Sequence, residues 1–242
     1  MAYSESYFTS RETWRDWRIE ACELIRWARV TRDARVLEFG CGGGGLLRLL
    51  RVRGARAVGV DTLEAALHLV HERQSAGEQR CGGTEERLPL HPCSPAPLLV
   101  RIGEDGALPF RDNIFDALIG QHVIEHLPDV DSALREWKRV LLSPKPREGK
   151  TGGRLALATP NARYPDPAHF DDADHARVFT PDELCDAVTR AGFVVEDCFT
   201  IFPFLSHMRA LRAVGIIAYR VFERAPYFAT RGRTIMLAAR KG

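Results

Sequence analysis

The chain has 242 residues, 45% of them hydrophobic and 27% charged, a composition that can bury a sizeable core and excludes the disordered classes. Its formal charge of +2 balances 34 basic against 32 acidic residues, which leaves no overall field to hold nucleic acid or an anionic membrane. Six cysteines fall at irregular spacings with no C-x-x-C pair, so neither a disulfide framework nor a zinc ribbon is expected.

The opening MAYSESYF has no basic region leading into an apolar core, and no apolar run is long enough to span a bilayer. A cytoplasmic location is therefore expected. Cys81, His91 and Cys93 could surround a metal, but their spacing matches no known zinc pattern and no metal ligand set is expected.

In chain order, Trp14, Trp17, Leu24, Ile25 and Ala28 recur at roughly helical spacing after Ser10, a suitable N-cap, which predicts a leading helix over residues 11–29. Residues 35–39 (RVLEF) form a short apolar strand running into Gly40, and a helix opens directly afterwards at 46–50. A second strand at 57–61 (AVGVD) leads into a helix over 63–73. Strands three and four are read at 98–102 and 115–119, a helix at 131–142, and a fifth strand at 154–159.

Thr180 and Pro181 supply an N-cap and a first helical position for a helix ending near Gly192. A sixth strand follows at 193–200, then a helical segment at 205–223 and a last strand at 234–239. Residues 74–97 and 143–153, rich in Gly and Pro, read as surface insertions. Alternating strands and helices imply right-handed crossovers and a mostly parallel, doubly wound α/β sheet of seven strands. One domain over 1–242 is expected: a helix within 1–34, a ligand-binding core over 35–200, and a helical segment with the final strand over 201–242.

Gly40, Gly42 and Gly45 satisfy G-x-G-x-x-G at the strand-to-helix junction, where glycine lets backbone approach a ligand closely. Asp61 ends the second strand about twenty residues on, placed to accept hydrogen bonds from ribose hydroxyls. These features suit any adenosine cofactor. Glu38, two residues before the first glycine, separates the candidates: its carboxylate would repel a pyrophosphate but attract the ammonium and sulfonium of S-adenosylmethionine.

Four segments together resemble the class I S-adenosylmethionine-dependent methyltransferases, in particular the broad group that includes ubiquinone-biosynthesis methyltransferases: VLEFGCGGG (36–44), VGVD (58–61), GEDGALPFRDNIFD (103–116) and HVIEHLPD (122–129). TPN (159–161) and HARVFTPDEL (175–184) extend the similarity. The resemblance implies a Rossmann-like, seven-stranded sheet with an antiparallel last strand. It also implies that Gly40, Cys41 and Gly42 line the methionine part of the cofactor above Glu38, that Asp61 holds the ribose, and that Thr62 and Leu63 flank the adenine. Glu104 or Asp105 would bond the adenine amine, the family more often having Asp followed by Ala there. Gln121 would border the reacting end.

His122, Glu125 and His126 also spell H-x-x-E-H, an inverted zinc-peptidase signature, but the segment follows a strand that ends beside the expected cofactor. A helix starting there would bring His122 and His126 onto one face. Small-RNA 2′-O-methyltransferases resemble the same segment with E-x-x-E-H and a later histidine around a divalent metal. Here His122 replaces the first Glu, and His169 or His175 could be the later ligand. A histidine can instead pack and cap the next helix, as His126 could, or order a loop, as His175 could.

Methyl transfer from a sulfonium needs positioning and exclusion of water more than proton chemistry. A hydroxyl acceptor would still gain from a general base, and His122, His126 and His175 are the candidates. The polar, partly aromatic loop 164–179 reads as a lid, and the apolar segment 202–228 as a wall of the acceptor pocket, part of the core or a homodimer face. The expected activity is methylation of a small-molecule acceptor at oxygen, without nucleic acid as partner. A metal-assisted RNA methyltransferase and a non-catalytic cofactor-binding protein of the same fold are the alternatives.

Overall fold

The alternating strands and helices assemble into one seven-stranded sheet in the computed structural model, which describes residues 17–79, 98–103, 105–149, 151–164, 175–201 and 231–242. The chain runs α1 (Trp17–Trp27), β1 (Arg35–Phe39), α2 (Gly45–Val52), β2 (Arg56–Asp61), α3 (Glu64–Gln79), β3 (Leu98–Arg101) and β4 (Ala117–Gln121). It continues through α4 (Val130–Val140), β5 (Arg154–Pro160), α5 (Pro181–Arg190), β6 (Phe193–Ile201) and β7 (Thr234–Lys241), with 3-10 turns at Ile124–His126 and Pro146–Glu148. The spatial order is β3-β2-β1-β4-β5-β7-β6.

Strands β1 to β5 pair in parallel, and β7 lies antiparallel to both β5 and β6. From β1 the chain goes to β2 on one side, and it later returns through β4 on the other. The order therefore reverses between β1 and β4, the switch point where open α/β sheets bind ligands at their carboxyl edge.

Side-chain alternation sends Leu37, Phe39, Leu118, Leu155 and Leu157 into a core with α4 and α5. Val36, Ile119, Ala156 and Ala158 face α1 and α2 on the other side. Both faces are thus covered, as a doubly wound sheet requires. On α4 the buried stripe Val130, Ala133, Leu134, Trp137 and Val140 recurs at helical spacing. Trp137 packs on Phe39 with ring centroids 5.0 Å apart. On α5, Thr180 and Glu183 form the reciprocal capping box and Pro181 begins the helix, as the sequence predicts.

Several boundaries differ from expectation. β4 starts two residues later than read, because the Asp116 carboxylate accepts from Arg35 N at 2.8 Å and Phe115 bridges to Leu141 instead. α3 runs on to Gln79, into the stretch read as an insertion. α4 is capped by Asp129, whose carboxylate accepts from Ser132 N at 2.9 Å, and not by His126. The start of the leading helix, the loop group Cys81, His91 and Cys93, and the segment 202–228 lie outside the described residues. Among the described residues, no helix is long and apolar enough to cross a membrane.

Candidate functional site

The glycine turn leaves β1 and folds over the end of β2, with Gly40 N and Cys41 N donating to Val60 O at 2.9 and 3.0 Å. Gly40 has φ +73° and Gly42 φ +47°, in the left-handed region that disfavours side chains. A Cβ on Gly40 would also lie 2.5 Å from Val123 Cγ2. This turn therefore packs directly against the segment that follows β4.

Asp61 closes the turn from the other side, its carboxylate accepting from Gly42 N at 2.9 Å and from Leu63 N at 3.0 Å. Burial raises its pKa, and the backbone donors at Leu63, Gly42 and Thr62 offset only part of that rise. Glu38 is buried one residue before the end of β1, in register with Gly59 of β2 and Ile119 of β4. Burial, with the nearby charges of Glu38 and Asp61, pushes the Cys41 thiol up, which keeps it from acting as a thiolate.

The structure thus gathers Glu38, Gly40, Cys41, Gly42, Asp61, Thr62 and Leu63 at the ends of two neighbouring strands. Asp105 sits just past β3, exposed, with Oδ1 accepting from Ala107 N at 3.3 Å. Glu104 and His169 lie outside the described residues.

Buried carboxylates beside a turn in which Gly40 has no room for a side chain fit an adenosine ligand with a cationic tail. A pyrophosphate would meet those charges as repulsion.

Gln121 is the last residue of β4 and reaches α1, where its Nε2 donates to Glu20 Oε1 at 2.8 Å. His122 departs from the expected role. Its backbone takes φ +50°, and its side chain is enclosed between Glu20 (Nε2 to Oε1 2.9 Å) and Glu125 (Nδ1 to Oε1 3.4 Å). Burial alone would lower its pKa, but the two carboxylates outweigh that and push it up to about 9. A histidine whose side chain is almost wholly enclosed between two carboxylates that favour its charged form is poorly placed to act as a general base.

His122 and His126 also do not share a helix face, because the chain makes a 3-10 turn at Ile124–His126. The turn sends His126 toward the loop returning from β5, where its ring meets that of His175 edge to face, centroids 4.8 Å apart. Three contacts bring that loop in: Arg177 N donates to Glu125 O at 3.0 Å, Ala162 N to Phe179 O at 2.8 Å, and Asn161 bridges to Phe179.

Beside the histidine pair, the second oxygen of Glu125 accepts from Thr159 Oγ1 at 2.9 Å. Burial would raise the Glu125 pKa, but His122, with His126 and a backbone hydrogen bond, brings it below the ordinary carboxylate value. Ligand atoms of Glu125, His126 and His175 all lie within 4.8 Å of one another, so the group could also hold a metal ion.

Glu20, Val123 and Thr159 escaped the sequence reading. Glu20 alone left a trace: a carboxylate within the apolar stripe of α1 beside Ala21, Leu24 and Ile25, where an ordinary amphipathic helix carries none.

The model of a methyltransferase domain matches residues 11–197, most of the chain. The chain belongs to the class I S-adenosylmethionine-dependent methyltransferases, whose sheet order and antiparallel last strand it shares. It is 29% identical over 169 residues to a probable S-adenosylmethionine-dependent methyltransferase of Mycolicibacterium smegmatis, covering 69% of this chain and 54% of that protein. It is 27% identical over 180 residues to a ubiquinone biosynthesis O-methyltransferase of Aeromonas salmonicida, covering 67% and 64%. The chain thus spans less than two thirds of either relative. Phosphoethanolamine N-methyltransferase 2 of Haemonchus contortus, solved with S-adenosyl-L-methionine, superposes with a TM-score of 0.66 at 15% identity, covering 99% of this chain and 57% of that one. At that identity the likeness concerns the fold alone.

Proposed function

We propose that the chain transfers a methyl group from S-adenosylmethionine to a hydroxyl oxygen of a small molecule. The observation that carries the oxygen acceptor is the meeting of His126 and His175, from two different loops, at the carboxyl edge of the sheet. The O-methyltransferase named among the relatives supports the same chemistry.

In this reading Gly40, Cys41 and Gly42 receive the methionine part of the donor, with Glu38 supplying negative charge beneath its cationic end. Asp61 accepts from the ribose hydroxyls, Thr62 and Leu63 flank the adenine, and Glu104 or Asp105 accepts from its amine. Gln121 borders the reacting end. When bound, the donor supplies a methyl group already activated on positively charged sulfur.

The chain's own work is then to align the acceptor oxygen, exclude water and take the hydroxyl proton onto a ring nitrogen of His126 or His175 as the oxygen–methyl bond forms. His122 is assigned a structural part, as the cation between Glu20 and Glu125. The sequence reading gives the acceptor pocket to the loop 164–179 and the segment 202–228, of which residues 165–174 and 202–228 lie outside the described residues.

Calorimetry with S-adenosylhomocysteine and NAD tests the donor. Binding of the first and not the second is expected; the reverse would overturn the reading.

One observation favours a second reading. Glu125, His126 and His175 are spaced to hold a metal ion, which could activate an acceptor hydroxyl in place of a histidine base, as in a metal-assisted RNA 2′-O-methyltransferase. The near-neutral charge balance speaks against RNA as partner.

A further inference from the structure

Glu20 is a fully buried carboxylate on α1 that neither the glycine turn nor the histidine pair requires. Residues Ala21, Leu24 and Ile25 already dock the helix on the sheet through apolar contact. Burying a carboxylate is costly unless its partners compensate. Its Oε1 accepts from Gln121 Nε2 at 2.8 Å and lies at ion-pair distance, 2.9 Å, from His122 Nε2, while Oε2 has no hydrogen-bond partner among the described residues. A carboxylate kept at that cost on an otherwise apolar stripe points to the groups it faces.

Those groups are the end of β4 and the residue after it. Gly120 pairs with Phe39 across the β1–β4 ladder, so Gln121 stands beside Gly40, and Val123 occupies the space that a Gly40 side chain would need. A glutamine amide has one donating end and one accepting end, and a carboxylate offers acceptors only. Against Glu20 the Gln121 amide therefore has one favourable orientation, with its NH2 toward the helix and its carbonyl oxygen turned away. His122 lies on the other side of the same oxygen, its ring between Glu20 and Glu125.

Resting on the reading that the Gly40–Gly42 turn receives the methionine end of the donor, we propose that Glu20 is a positioning residue that fixes the Gln121 amide so that its carbonyl oxygen faces the donor's cationic amino-acid end. Glu20 touches no part of the donor and acts only through Gln121. Glu20→Gln keeps the shape but can donate as well as accept, so it removes the preference between the two amide orientations.

The test is calorimetry with two probes: S-adenosylhomocysteine, which carries the ammonium group, and 5′-methylthioadenosine, which lacks it. Glu20→Gln is expected to lower affinity for S-adenosylhomocysteine about tenfold, the scale of one hydrogen bond to a charged group, and to leave 5′-methylthioadenosine within about twofold. In the double variant with Gln121→Met, the loss should be no larger than for Gln121→Met alone.

Equal weakening of both probes, an unchanged affinity for S-adenosylhomocysteine, or additive losses would each overturn the proposal. If Glu20→Gln does not fold, Gln121→Met alone decides, since it must weaken S-adenosylhomocysteine selectively. A wild-type chain that binds neither probe would instead overturn the donor-site reading itself.

Discussion

The carboxylate of Asp61 accepts a hydrogen bond from Gly42 N at 2.9 Å, so the acid ending β2 is built into the turn that follows β1. Its other oxygen accepts from Leu63 N at 3.0 Å. Asp61→Ala therefore removes a loop fastening as well as the proposed ribose acceptor. The expected loss in S-adenosylhomocysteine binding is roughly 1–3 kcal/mol, the range for charge-assisted hydrogen bonds. Titration calorimetry on the folded variant measures it, and an unchanged affinity would move the ribose elsewhere.

Gly40 makes a separate prediction. A methyl group there meets Val123 Cγ2 at 2.5 Å on a backbone at φ +73°. Gly40→Ala is expected to destabilise the chain by about 1–3 kcal/mol and to weaken S-adenosylhomocysteine binding, since overpacking and backbone strain act together. Adding Val123→Ala opens the space but leaves the backbone strain, so chemical denaturation should show only partial recovery. Full recovery would mean that the positive φ costs nothing.

His122 ties stability to alkaline pH. Its folded pKa, about 9, lies above the ordinary imidazole value of 6.5 because Glu20 and Glu125 outweigh the effect of burial. The folded state thus holds its proton more tightly than the unfolded state. The resulting stabilisation is complete below the unfolded pKa and is lost as pH rises through the folded one. Urea unfolding at a series of pH values from 6 to 10 should show stability falling by roughly 2–4 kcal/mol across that window. His122→Gln should flatten the fall; a wild-type curve already flat there would mean that the imidazole is buried neutral.

Much of this arrangement could be read along the chain, and the exceptions share a cause. The glycine turn, Asp61 and the seven strands are local patterns: apolar runs ended by Gly, Pro or an acid. Phe115 misled because it is buried and apolar, yet its backbone bridges to Leu141 and not to β1. His122 misled because H-x-x-E-H is spaced for one helix face, whereas a single residue at φ +50° turns its ring toward α1. Glu20 and Gln121 are 101 residues apart, and no periodicity reports a polar pair formed at that separation inside a core. Local rules fail where a long-range polar contact overrides them.

Metal dependence separates the two readings of the Glu125, His126 and His175 group. With a histidine base, methyl transfer should survive exhaustive chelation unchanged. Activity that vanishes with the chelator and returns with Mn²⁺ or Mg²⁺ would favour the metal-assisted route.

The final prediction concerns the histidine pair. His126 follows β4 through a 3-10 turn and His175 arrives from the loop beyond β5, yet their rings meet at 4.8 Å. An imidazole nitrogen can take a hydroxyl proton, and a second ring in contact can orient it. With an acceptor in hand, His126→Ala and His175→Ala should be compared at saturating S-adenosylmethionine. Loss of the base is expected to cost about a hundredfold or more in turnover, the usual range for proton-transfer help, with S-adenosylhomocysteine affinity nearly unchanged. Loss of the orienting partner should cost less, and the double variant should be no slower than the base variant alone, because two groups acting as one unit are not additive. His122→Gln serves as the contrast: it should lower stability without a comparable fall in turnover of the folded fraction. If both single variants of the pair keep turnover within a few fold, no base operates and catalysis is positioning alone.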